Sequence, residues 1–364
     1  MTASRNNFDF FRLLAAFLVI VGHAYPILQQ PNLPYFLNSS ISSYAVKLFF
    51  ALSGYLIVAS WIRDPNAFRF LVKRALRIFP ALILVVVLSA CVLGPLVTTV
   101  SLKEYFAAPL FWSYFMNIRL YITHALPGVF EQNIYPNAVN GSLWSLPAEF
   151  FMYLLVLGSG ILARILTHVP FALLWGVLTL GCMALNISEL YFQTGAFAGT
   201  VIYATPVMSV IEVAPYFMIG GCIQLARNWL PLSSRAALLA MACAIVITEA
   251  GYSVEPLLIL ISSYSVIALG STSTPVLREF GRFGDLSYGV YLYGFPVAQT
   301  LSWGFGTSLS FATHVFLALL VSGLCAFASW HSVEKRALQI KPKARHAGSQ
   351  GINATPSTTQ NNIV

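Results

Sequence analysis

Apolar, almost uncharged segments of about twenty residues recur along this chain, and no other feature constrains its fold as much. The hydrocarbon core of a bilayer, about 30 Å thick, is crossed by roughly 20 helical residues. Only 9% of the 364 residues are charged while 58% are hydrophobic, against roughly 25% charged in a soluble domain. Lipid offers the backbone no hydrogen-bond partner, so helices, whose amides bond internally, are the elements that can span it. The sequence predicts an all-α, polytopic transmembrane bundle of about ten spans, near 8–28, 42–62, 79–99, 142–163, 169–187, 203–226, 236–251, 256–272, 286–305 and 310–331. The first segment reads as a retained span rather than a signal peptide, because Asp9, Arg12 and His23 interrupt it and no small-residue cleavage pattern follows.

Charge placement orients the spans, since short cytoplasmic loops concentrate Lys and Arg. With the N-terminus in the cytoplasm and ten spans threaded, 16 of the 20 basic residues fall on the inner side. Arg12 and Lys47 lie within spans, and Lys103 and Arg119 fall outside. Both termini are then cytoplasmic. The net charge of +8 is topological and argues against nucleic acid as a partner. Two domains are expected: 1–335 in the membrane and 336–364, polar and poor in large apolar residues, as a disordered cytoplasmic tail. The longest outer stretch, about 100–141, carries Trp112, Tyr114, Phe115 and Tyr121 and suits an interfacial or re-entrant segment. The alternative is that 106–121 crosses the membrane. Five cysteines sit singly with no spacing for a metal or a disulfide framework, and read as packing residues.

Ionisable groups within spans are costly, which makes each a candidate for function. Arg12 and His23 are eleven residues apart, close to three helical turns, so they share one face roughly 16 Å apart along the axis. Arg69, Lys73, Arg74 and Arg77, after span two, recur at helical spacing. That surface suits either a polyphosphorylated ligand or anionic lipid. Ser145, Glu149 and Tyr153 share a face where span four enters from outside. Glu149 and His23 lie at similar depth and could form a general base with its orienting partner; alternatively Glu149 pairs with Lys47 and only locks helices together. Lys47 itself either snorkels outward or finds a carboxylate. The remaining histidines, in loops, near span ends or in the tail, carry less weight.

Taken in order, five blocks resemble the acyltransferase-3 family of integral membrane O-acyltransferases that act on cell-surface sugars. FDFFRLLAAFLVIVGH resembles its first span, with Arg12 and His23; KLFFALSGYLI its Ser-Gly block, here Ser53 and Gly54; and FLVKRALRIFPAL its arginine block, here Arg74, Arg77 and Pro80. SLWSLPAEFFMYLL is similar to its Trp-Ser-Leu and glutamate block, here Trp144, Ser145 and Glu149. GDLSYGVYLYGFPV is similar to its late Ser-Tyr block. The resemblance covers about residues 6–334. One departure stands out: many members place a histidine two residues before the last proline, where this chain has Gly294.

The resemblance implies transfer of an acyl group, usually acetyl from cytoplasmic acetyl-CoA, to a sugar hydroxyl, in the inner (plasma) membrane and with no bound cofactor or metal. It implies His23 as general base, with Glu149 orienting or polarising the imidazole. Arg74 and Arg77 would grip the CoA phosphates and Arg12 line the path of the pantetheine arm, leaving Trp144 and Ser145 toward the acceptor. A second class remains open on the residues alone, a transporter or flippase for a lipid-linked saccharide using Arg12, His23 and Glu149 as a relay. No internal repeat of the kind common in transporters is visible.

Overall fold

The computed structural model describes residues 6–252 and 254–340. Among these, ten helices of sixteen residues or more fall on the ten apolar segments: α1 (Phe8–Ile27), α2 (Ile41–Arg63), α3 (Ala67–Val97), α4 (Ser145–Ile165), α5 (Phe171–Leu190), α6 (Val207–Leu225), α7 (Ser234–Glu249), α8 (Glu255–Ser271), α9 (Ser287–Phe305) and α10 (Phe311–Ser329). Seven of them, all but α7, α8 and α9, are long and apolar enough to cross a membrane. The chain is thus a helical, multi-pass membrane protein, with seven helices of that length and apolarity among the described residues. The three exceptions have separate reasons. α7 and α8 are only 16 and 17 residues long. α9 is long enough but rich in Tyr, Ser and Gly, and it is buried continuously from Ser287 to Pro296, so its side chains meet protein where a peripheral helix would meet lipid.

Helix starts follow local chemistry. Ser40, Asn66, Ser233 and Ser310 each accept a hydrogen bond from the backbone amide three residues on, capping α2, α3, α7 and α10. Pro65, which has no N–H, separates α2 from α3. The sequence suggested a basic surface helix followed by a span beginning near 79; instead α3 runs unbroken for 31 residues, roughly 46 Å at 1.5 Å per residue. Pro80 lies inside it without ending it, a tolerance common where neighbouring helices brace the backbone. Near its far end the helix widens into a π-turn at Ser89–Leu93, and the Tyr105 hydroxyl donates to the Ala90 carbonyl there at 2.7 Å.

Association in lipid depends on close van der Waals packing, and small residues mark the crossings. A Cβ on Gly54 of α2 would come within 1.9 Å of the Phe217 carbonyl oxygen of α6, and one on Gly220 within 2.2 Å of the Ala51 carbonyl oxygen. At the α1–α9 crossing a Cβ on Gly294 would stand 2.5 Å from Ile20. That contact suits glycine at position 294, since any larger side chain there would require Ile20 to shift.

The 100–141 stretch does not cross the bundle. It forms two six-residue helices, Leu102–Ala107 and Pro109–Tyr114, and a 3-10 turn, Phe115–Arg119, with Tyr105, Phe111 and Tyr114 buried and Trp112 exposed. The start of the expected tail is helical, Lys335–Gln339; residues 341–364 lie outside the described residues. Cys182, Cys222 and Cys325 are half-buried and pack against the core, as expected, whereas Cys91 and Cys243 are exposed; all five are free.

Candidate active site

A cavity of about 400 Å³ lies among α1, α2, α3, α4, α9 and the residues after α10. Along α2 its wall runs from Val46 to Arg63, a helical rise of roughly 25 Å, most of the thickness of a bilayer core. The wall changes character along the way. Arg63, Ser60 and Ser53 occupy one part; Val46, Phe49 and Phe50 close the other. The polar part gathers the start of α1, the end of α2, the first third of α3 and the start of α9, which brings Asp9, Arg12, Arg74, Arg77, Asp285 and Ser287 to one end of the bundle.

The basic cluster after span two divides. Asp64 takes Arg69 at 2.5 Å and Lys73 at 2.6 Å, and hydrogen bonds from these two cations hold its carboxyl well below the usual range. Arg74 and Arg77 turn inward. Arg77 bonds Asp285 at 2.6 Å and lies over the Tyr288 ring. Arg12 bonds the same Asp285 oxygen at 3.1 Å. Burial raises the Asp285 carboxyl, but the guanidiniums of Arg77 and Arg12 and the Ser287 hydrogen bond outweigh it and bring it down to about 2. Arg74 stacks on the rings of Phe70 and Tyr153, 5.9 and 5.8 Å from their centroids, and its Nε is buried without a partner.

Glu149 faces the same cavity. Its Oε1 accepts hydrogen bonds from the Tyr153 hydroxyl and, at 3.4 Å, from Ser53 Oγ, so the Ser of the Ser-Gly block serves the site while the Gly beside it serves helix packing. Ser145 also lines the cavity; its Oγ donates to the Tyr291 hydroxyl at 2.6 Å, which in turn donates to the Ser142 carbonyl at 2.7 Å. Trp144 is half-buried against the core and outside the cavity wall. Lys47 does not meet Glu149: it is buried with Glu212 at 3.0 Å, Glu255 at 3.9 Å and Ser39 at 2.6 Å. The locking pair suggested by the sequence is therefore Lys47–Glu212, and Lys47 does not snorkel.

His23 stands apart from the cavity wall. Its ring packs edge-on against Phe295, centroids 5.3 Å apart. Tyr291, one helical turn before Phe295 on α9, lines the cavity with Glu149, while Phe295 and His23 are outside its wall. The direct base–partner contact expected from the similar depth of His23 and Glu149 is not formed among the described residues. Asp285 lies outside the Ser-Tyr and Pro pattern of its block, and the one sequence signal for it is a carboxylate just before an apolar helix.

An arginine cluster and a hydrogen-bonded carboxylate in one intramembrane cavity fit a group-transfer enzyme with an anionic donor. The acyltransferase domain shared by one family of membrane proteins matches residues 5–331 of this chain. The chain belongs to the acyltransferase-3 family. This acyltransferase is 31% identical over 349 residues to the O-acetyl transferase of Shigella phage Sf6, an alignment covering 92% of this chain and 96% of the phage protein. It is 28% identical over 373 residues to nodulation protein 10 of Rhizobium leguminosarum bv. viciae, covering 93% and 94%. No solved structure matches it.

Proposed function

We propose that the acyltransferase is an O-acetyltransferase of the inner (plasma) membrane that moves an acetyl group from cytoplasmic acetyl-CoA to a hydroxyl of a cell-surface or exported saccharide. The observation that carries this reading is the cavity, with three arginines at one end and Glu149 further in. Guanidinium forks match phosphate oxygens. Arg12, expected along the pantetheine arm, shares Asp285 with Arg77, so Arg12, Arg74 and Arg77 together receive the donor's phosphates, and the roughly 25 Å wall along α2 accommodates an extended pantetheine arm. The polar end is then the cytoplasmic one, in keeping with ten threaded helices, both termini inside, and a bilayer around the bundle.

His23 takes the proton of the acceptor hydroxyl. The acceptor oxygen attacks the thioester carbonyl, the C–S bond breaks, and the proton passes from the imidazole to the departing thiolate. Phe295 must move for the imidazole to reach the thioester. Glu149, fixed by Ser53 and Tyr153, stabilises the imidazolium across a site of low dielectric, where a carboxylate acts over longer distances than in water. Ser145 and Trp144, at the head of α4, attend the acceptor.

Membranes carrying the protein, given acetyl-labelled acetyl-CoA, should transfer label to saccharide, and membranes lacking it should not. Saccharide movement across the membrane without thioester consumption would overturn the enzyme reading in favour of a flippase.

A further inference from the structure

Three helices meet at one carboxylate. Arg12 Nη1 of α1 and Arg77 Nη2 of α3 both bond Oδ2 of Asp285, at 3.1 and 2.6 Å, while Ser287 Oγ at the start of α9 donates to Oδ1 at 2.6 Å. Arg77 is further held over the ring of Tyr288, whose hydroxyl is anchored on the Ile78 carbonyl at 3.1 Å. Each guanidinium commits one nitrogen to Asp285, and a guanidinium has five N–H donors. Arg12 Nη1 also stands 3.8 Å from Asp9 Oδ1, and both arginines line the cavity. Among the described residues Arg74, one turn from Arg77, forms no ion pair, and its buried Nε has no hydrogen-bond partner.

We propose that Asp285 is a positioning residue for the donor: it holds Arg12 and Arg77 as a preassembled double-guanidinium clamp for the phosphates of acetyl-CoA, an inference that rests on the cavity being the donor site. Two effects oppose each other. A carboxylate repels an incoming phosphate, and it also freezes two long side chains that would otherwise repel one another and scatter. Holding two such side chains is worth roughly tenfold in affinity. Geometry favours the second effect, because Ser287 pins the carboxylate from the α9 side and the phosphates need not displace it to reach the free N–H groups.

The test is binding to the purified full-length protein of acetyl-CoA and of S-acetylpantetheine, which carries the same thioester without the nucleotide phosphates. Asp285→Asn should weaken acetyl-CoA roughly tenfold and leave S-acetylpantetheine unchanged. Tighter acetyl-CoA binding, unchanged binding, or equal weakening of both ligands would overturn the proposal, the last by exposing a purely structural role. Arg77→Ala separates the two layers of the argument. If it weakens acetyl-CoA while Asp285→Asn does not, the donor site stands and the clamp falls; if acetyl-CoA binds Arg77→Ala as tightly as wild type, both fall. Should Asp285→Asn fail to fold, Ser287→Ala keeps the charge and only loosens the carboxylate. It should weaken acetyl-CoA about threefold, and an unchanged affinity would overturn the proposal.

Discussion

Arg74 and Arg77 stand one turn apart on α3 yet meet different surroundings, Arg74 between two aromatic rings and Arg77 on a carboxylate. Lysine at position 77 keeps the charge but loses the planar fork, so acetyl-CoA binding should weaken by about 1–3 kcal/mol, read by equilibrium binding. Glu149→Gln keeps shape and loses charge; turnover should fall sharply at nearly constant donor affinity, a split that steady-state kinetics resolves. His23→Ala should accumulate as folded protein and bind acetyl-CoA normally while losing transfer, because the imidazole contacts Phe295 outside the donor cavity. Substantial turnover by folded His23→Ala would remove the imidazole from the mechanism. Asp285 also makes a pH statement. Its carboxyl sits near 2 in the fold, below the ordinary value of about 3.9, so the stability it contributes is complete above about pH 4 and is lost as pH falls toward 2.

Helix α2 carries both functions of the bundle on opposite sides. Ser53 and Phe49 look into the cavity, while Gly54 and Ala51 accept the backbone of α6 at distances a Cβ would not allow. Gly220→Ala forces a methyl group against the Ala51 carbonyl oxygen. Overpacking of this kind costs about 1–3 kcal/mol, which should appear as a lower unfolding temperature with unchanged donor affinity per folded molecule. Lys47 behaves as part of the same scaffold. Replacing it with Met would leave Glu212 and Glu255 without their buried cation, so folded yield should drop while the protein that does fold remains active. An activity loss without a yield loss would move Lys47 into the site.

Across the whole molecule, the ends of α2 and α10 and the starts of α1, α3 and α9 gather at the polar end of one cavity. The proposed threading places that end in the cytoplasm with both chain termini. Reporter fusions after residue 340 should therefore behave as cytoplasmic and fusions near Glu131 as external; an external tail would reverse the sidedness of the donor site. His23 packs on Phe295 outside the wall of that cavity.

The helical, membrane-embedded class of this protein was legible in its sequence, because hydrocarbon tolerates only backbones that satisfy their own hydrogen bonds and leaves that demand written as apolar length. The helix positions and the five family blocks were legible for the same reason: they are local in the chain. Arg12, Arg74, Arg77, Ser145 and Glu149 could be singled out as charged or polar groups in costly places, and the fold does bring them to one cavity. What sequence could not decide was partnership. Asp285 lies 273 residues from Arg12 and 208 from Arg77, Lys47 chose Glu212 over Glu149, and α9 hides a polar composition by being buried. Such pairings depend on which helix faces cross, and crossings are set by small residues and shape complementarity between segments remote in sequence, information that exists only once the helices are packed.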